Sequence, residues 1–258
     1  AKEQFIKYQI KKAMPSLMKE GQQNDGRALY ALGQIFLTQG IYTGDTRTLL
    51  RSMAAFSKGK EDSEEKVLCR SACCTMEVGG LSRTGKTEDD VAMADALSRM
   101  AEGGDVLAMT EWAACLLYGT GTEKDAEESL SWLRRAASQD YWLARLRLLQ
   151  TERLKEDRES RRDVFNQANH LALMGVPDGE FYLGECYEAG WGTEPAWNKA
   201  VHHYERAYSL GNPAAAMRLA NGYLRDTGNE ESEAKAMEWL RLADEKGNGE
   251  ASYRLGKV

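Results

Sequence analysis

Proline is scarce in this chain, with four in 258 residues, and histidine is scarcer, with three. So few breakers leave room for long stretches of helix, and alanine, leucine, glutamate and arginine fill the spaces between glycines. No window comes near the run of about eighteen apolar residues that a membrane span needs, and no signal sequence opens the chain. Excess positive charge is missing too. Lys and Arg number 34 against 40 Asp and Glu, a net charge of -6, which argues against nucleic acid and anionic membrane surfaces as partners. The five cysteines, Cys69, Cys73, Cys74, Cys115 and Cys186, are odd in number and have no regular pairing distance. That usage points to a reducing compartment, and the expected location is cytoplasmic. His202 and His203 are adjacent, so on a helix they point about 100 degrees apart and form no ligand pair, while His203 takes the slot of Trp132 and Trp239. No cysteine stands with a histidine and an orienting partner as a catalytic thiol requires. No metal and no cofactor is expected.

Glycine, by contrast, is plentiful at 24 residues, and it recurs. Register marks at Asn24, Gly59, Gly104, Asp140, Gly175, Gly211 and Gly247 are separated by 35, 45, 36, 35, 36 and 36 residues. A period of this length is the signature of a solenoid, in which each unit buries its apolar face only against its neighbours. A second glycine stands 19 residues before the mark at Gly40, Gly85, Gly121, Gly192 and Gly228, where one helix must reverse into the next, and positive φ is the expected reason. Alanine recurs four before the mark at Ala55, Ala136, Ala207 and Ala243, where a small residue lets helices approach closely. Cys115 and Cys186 each lie 25 before a mark, which predicts small buried side chains. The spacing predicts two helices per unit over residues 28–59, 63–104, 108–140, 144–175, 179–211 and 215–247, as one array from 1 to 258, with partial units at 1–24 and 251–258. Phe5 to Glu20 reads as one amphipathic helix, the second of a preceding unit. Ends cut within units would leave faces open to contact with something else.

The pattern is clearest in Phe181-Tyr-Leu-Gly-Glu-Cys-Tyr-Glu-Ala-Gly190-Trp-Gly192, followed by Lys199-Ala200, His203-Tyr204, Ala207 and Gly211. It resembles Sel1-like repeats, which are related to tetratricopeptide arrays but have a longer unit and a G-x-G turn. The resemblance implies an all-α, right-handed α-solenoid of antiparallel two-helix repeats. It also implies a non-enzymatic adaptor or scaffold for proteins in bacterial signalling, secretion or quality-control assemblies. A regulatory segment of a larger enzyme is the alternative. In such arrays the first helices line the concave side. Positions flanking the Leu-Gly pair then nominate Tyr30, Gln34, Gln150, Phe181, Glu185, Met217 and Asn221 as contacts to a bound protein or peptide, unless those side chains simply pack against the next unit.

Two departures from the period remain. Gly80-Leu-Ser-Arg-Thr-Gly85-Lys86-Thr87 has the spelling of a phosphate-binding P-loop, in which Lys86 and Thr87 would serve a nucleotide and its magnesium. That site needs a preceding strand and a parallel sheet, and no alternating pattern supplies one. The repeat already accounts for Gly85, so the segment reads as a turn before a second helix, and a nucleotide-hydrolysing enzyme is the least favoured reading. The other departure is Glu152 to Arg162, with nine charges in eleven positions and Glu156 where the turn glycine is expected. It reads as a solvated helix whose exposed edge is available for docking.

Overall fold

A computed structural model describes the chain apart from residues 44–45, 63–66, 73–87, 156, 227 and 257–258. The P-loop-like segment, Cys73, Cys74 and Glu156 lie outside the described residues. Among the described residues every regular element is an α-helix: α1 Lys2–Ile6, α2 Ile10–Gln22, α3 Gly26–Thr43, α4 Thr46–Asp62, α5 Glu88–Glu102, α6 Val106–Tyr118, α7 Ala126–Ala137, α8 Trp142–Glu152, α9 Arg158–Leu173, α10 Pro177–Ala189, α11 Trp197–Ser209, α12 Ala214–Tyr223, α13 Glu230–Glu245 and α14 Gly249–Leu255. Residues 67–72 are helical as well. The helices form two compact units, Ala1–Gly40 with Thr46–Thr151 and Ile41–Asp45 with Glu152–Val258.

Helix starts follow from short polar side chains. Asp105 accepts from the backbone amides of Leu107 and Ala108 ahead of α6, Asp157 from Ser160 ahead of α9, and Asn229 from Glu231 and Ser232 ahead of α13. Each satisfies amides that have no partner inside the helix. First and second helices of a repeat then differ in burial. α10 buries Pro177, Gly179, Glu180 and all of Tyr182 to Cys186, because neighbours enclose it from several sides. α11 buries only Ala200, Tyr204 and Ala207, a single stripe three to four residues apart, and α13 likewise buries Ala236, Leu240 and Ala243.

The register marks are mostly left-handed residues. φ is positive at Asn24, Gly104, Asp140, Gly175, Gly211 and Gly247, and the turn between helices repeats as Gly119 with Gly121 and Gly190 with Gly192. Gly59 and Gly40 are exceptions, absent from the positive-φ residues. Both lie inside helices, and each is small for reasons of space. A Cβ on Gly59 would stand 2.3 Å from the Cys69 sulfur, and one on Gly40 would stand 2.6 Å from Leu49 Cδ2. Helix α4 therefore runs through the mark to Asp62.

The amino-terminal amphipathic stretch is broken in two. Tyr8 takes φ +59, which ends α1 and redirects the chain into α2. Fully buried Phe5 packs against Tyr141 and Trp142, with ring centroids 5.9 and 6.1 Å away, while α2 turns Ala13, Leu17 and Gly21 inward. The cysteines follow the expected packing. Cys69, Cys115 and Cys186 are buried and in no disulfide among the described residues, and burial together with the Glu185 carboxylate pushes the Cys186 thiol up to about 12, which leaves it protonated and inert at neutral pH. No helix among the described residues is long and apolar enough to cross a membrane, and no described cluster of His, Cys, Asp or Glu would hold a metal.

Candidate functional site

In the second unit the first helices α10, α12 and α14 are linked side by side through polar groups at equivalent positions. Glu185 on α10 accepts from Arg218 on α12, and Asn221 on α12 accepts from Arg254 on α14 at 2.5 Å. Both links span 33 residues. Glu185 also receives Arg153 at 3.1 Å, and the Arg153 guanidinium lies 5.1 Å from the centre of the Tyr182 ring. One turn on, Glu188 accepts from Arg225 at 2.6 Å and from the Tyr204 hydroxyl at 2.7 Å. Burial and that carboxylate hold the Tyr204 phenol far above its ordinary range.

These groups enclose a pocket of about 300 Å³ lined by Arg153, Glu185, Glu188, Trp191, Arg218 and Arg225. Three guanidiniums meet two carboxylates there. The positions come from the repeat: Glu185 and Glu188 share one face of α10, one turn apart, and the positive-φ Gly190 ends that helix so that Trp191 turns to the rim. A second hollow of about 580 Å³ continues from Glu188 and Arg225 to Trp197 and Tyr223, whose rings meet edge-on at 5.8 Å. Trp197 reaches this position because Gly222 has no side chain; a Cβ there would stand 1.8 Å from the ring.

The nominated contact row divides by chemistry. Phe181 is partly buried against the Tyr204, Ala207 and Leu219 cluster, and Met217 is buried in the next cluster with Leu240 and Ala243. Glu185 and Asn221 face the arginines described above. In the first unit Tyr30 is fully buried, its hydroxyl 2.7 Å from Glu111, which also receives Ser71 at 2.8 Å and Arg147 at 3.0 Å. Gln34 is buried as well, and Gln150 is exposed on α8. The arginines and Trp191 were not nominated by position alone. A signal for them was present: Arg218 and Arg254 hold one slot in successive units, as do Glu185 and Asn221, so a repeated arginine faces a repeated acceptor.

A fold of stacked helical hairpins with glycine turns defines a helical-repeat protein. The Sel1 repeat model matches residues 106–141, 177–212 and 213–248, so the chain contains three Sel1 repeats. Among solved structures it is similar to a protective antigen of uropathogenic Escherichia coli with an SLR fold, at 25% identity and a TM-score of 0.58 over 93% of this chain. The alignment covers 50% of that antigen, so the chain spans about half its length. It is similar in fold to a Sel1 repeat protein from Oxalobacter formigenes, at 21% identity and a TM-score of 0.57, covering 88% of each chain. No curated protein matches in sequence. Proteins built of Sel1 repeats typically serve as scaffolds for protein–protein interaction.

Proposed function

We propose that this chain is a non-enzymatic scaffold that holds an extended segment of a partner protein on the first-helix face of its repeats. In the second unit Phe181, Glu185, Met217 and Asn221 mark the framework of that face, and the side chains bordering them make the contacts; in the first unit Tyr30, Gln34 and Gln150 hold the corresponding positions. The observation carrying this reading is the open, charged pocket on the first-helix face of the second unit, where Arg218 and Arg225 stand 42% and 66% exposed over nearly buried glutamates. Exposed groups fixed by buried ones form a preorganised surface, which lowers the ordering cost of binding. That Cys69, Cys115 and Cys186 are buried thiols rather than disulfides supports a reducing compartment such as the cytoplasm.

The test is selection from a displayed library of random dodecapeptides on the immobilised chain, followed by hydrogen exchange with the best binder. Binding on this face protects amides of α10 and α12 more than those of α11 and α13. Absence of any selected peptide, or protection confined to the second helices, overturns the proposal.

A further inference from the structure

The charge in this pocket runs against that of the chain. The protein carries a net charge of -6, yet Arg153, Arg218 and Arg225 converge against only Glu185 and Glu188. Glu185 is already shared between Arg153 and Arg218, and Glu188 divides its two oxygens between Arg225 and Tyr204. Arg218 on α12 and Arg225 in the turn that follows it both line this pocket. Each reaches its glutamate through one terminal nitrogen, and a guanidinium carries five N–H donors in a planar fork. Donors therefore remain on the outward edges of both.

The surplus of one positive charge sets the class of ligand. A carboxylate brings one negative charge and matches the fork of an arginine, which forms paired, charge-assisted hydrogen bonds to it. A phosphate dianion would bring a second negative charge into a pocket that already holds two carboxylates. The neighbouring hollow shares Glu188 and Arg225 with the first and is walled by Trp197 and Tyr223, with Asp226 at its edge accepting from Asn229 and Ser232. A ligand seated on the arginines thus has an aromatic surface beside it for an apolar group.

We propose, building on the scaffold reading above, that this double pocket recognises an acidic side chain next to a large apolar one in a partner segment. The carboxylate sits on Arg218 and Arg225, and the apolar side chain lies against Trp197 and Tyr223.

Sequencing the peptides selected from the dodecapeptide library tests this, and the most enriched one is resynthesised with a fluorescent label for titration against the full chain. The expected peptides carry Asp or Glu beside Phe, Trp, Leu or Met. Replacing that acid by its amide in the peptide, or Arg225→Glu in the protein, weakens binding at least about tenfold, whereas Lys199→Glu on α11 leaves it unchanged. Should Arg225→Glu lower the melting temperature, Arg225→Gln removes the charge while keeping the length, and the same loss is expected. Selected peptides without acidic residues, or affinity indifferent to both Arg225 variants, overturn this assignment and leave the scaffold reading standing. A library that yields no binder removes both.

Discussion

Arg218 donates to Glu185 from the next first helix along the chain, and the same 33-residue reach recurs between Arg254 and Asn221. In a 36-residue period this offset places the donor one helical turn earlier than the acceptor's own equivalent, where adjacent first helices come abreast. An ion pair in one interval is replaced by a charge-to-amide hydrogen bond in the next, with the slots unchanged.

Removing the acceptors should therefore weaken the second unit unequally. Glu185→Ala leaves Arg153 and Arg218 without their shared carboxylate, and the expected loss is about 1–2 kcal/mol, below that of a fully buried pair because both arginines are partly solvated. Asn221→Ala should cost about 0.5–1.5 kcal/mol, the worth of one hydrogen bond. Urea unfolding followed by circular dichroism measures both, and equal or vanishing losses would show that the rungs do not hold the helices.

Two glycines near the carboxyl end should respond to alanine in opposite directions. A Cβ on either Gly247 or Gly249 meets no atom within 4 Å, so sterics between residues play no part. Gly247 has φ +80, and Gly247→Ala should destabilise by about 1 kcal/mol. Gly249 begins helix α14, and Gly249→Ala should be neutral or stabilising by up to about 1 kcal/mol. Paired thermal melts distinguish the two.

Asp178, in the first turn of α10, gives the second unit a pH dependence. Burial raises its carboxyl from 3.8 to about 7, with Asn212 donating to it at 3.3 Å. Because the folded state holds the proton more tightly than the unfolded one, stability is fullest below about pH 4 as far as this group is concerned, and it falls as pH rises through 7. Asp178→Asn should remove that decline and stabilise at pH 8 by about 1–2 kcal/mol, a figure reduced for partial solvation. Urea midpoints from pH 5 to 8 check it, and a parallel dependence in the variant would assign the decline elsewhere.

The contact between Gly222 and Trp197 should be as sensitive as a core position. Gly222→Ala forces the indole aside and should cost about 1–3 kcal/mol. Combining it with Trp197→Leu should recover part of that loss in a double-mutant cycle, since the two sites are in direct contact. Additive losses would mean that the ring does not rest on this glycine.

Much of the fold was legible in the residues because backbone conformation is a local matter. A left-handed position favours Gly, Asn or Asp, so Asn24, Asp140 and four glycines announced the ends of units. Gly59 misled because glycine also answers a need for space, and nothing near it in the sequence announces the Cys69 sulfur. The break at Tyr8 was hidden for a similar reason: Phe5 is held by Tyr141 and Trp142, far along the chain. The candidate site was legible as a row and obscure as a surface. Spacing put Glu185 and Asn221 on one face, but whether such groups meet a ligand or an arginine depends on side chains 33 residues away.

Interchangeable slots make the second unit divisible. Excising residues 213–248 would carry Arg254 into the place of Arg218, opposite Glu185, so the shortened chain would close with an ion pair where it formerly had an amide. A lineage can gain or lose whole repeats at such a joint without inventing a new interface, and the length of the array becomes a quantity that selection can adjust in steps.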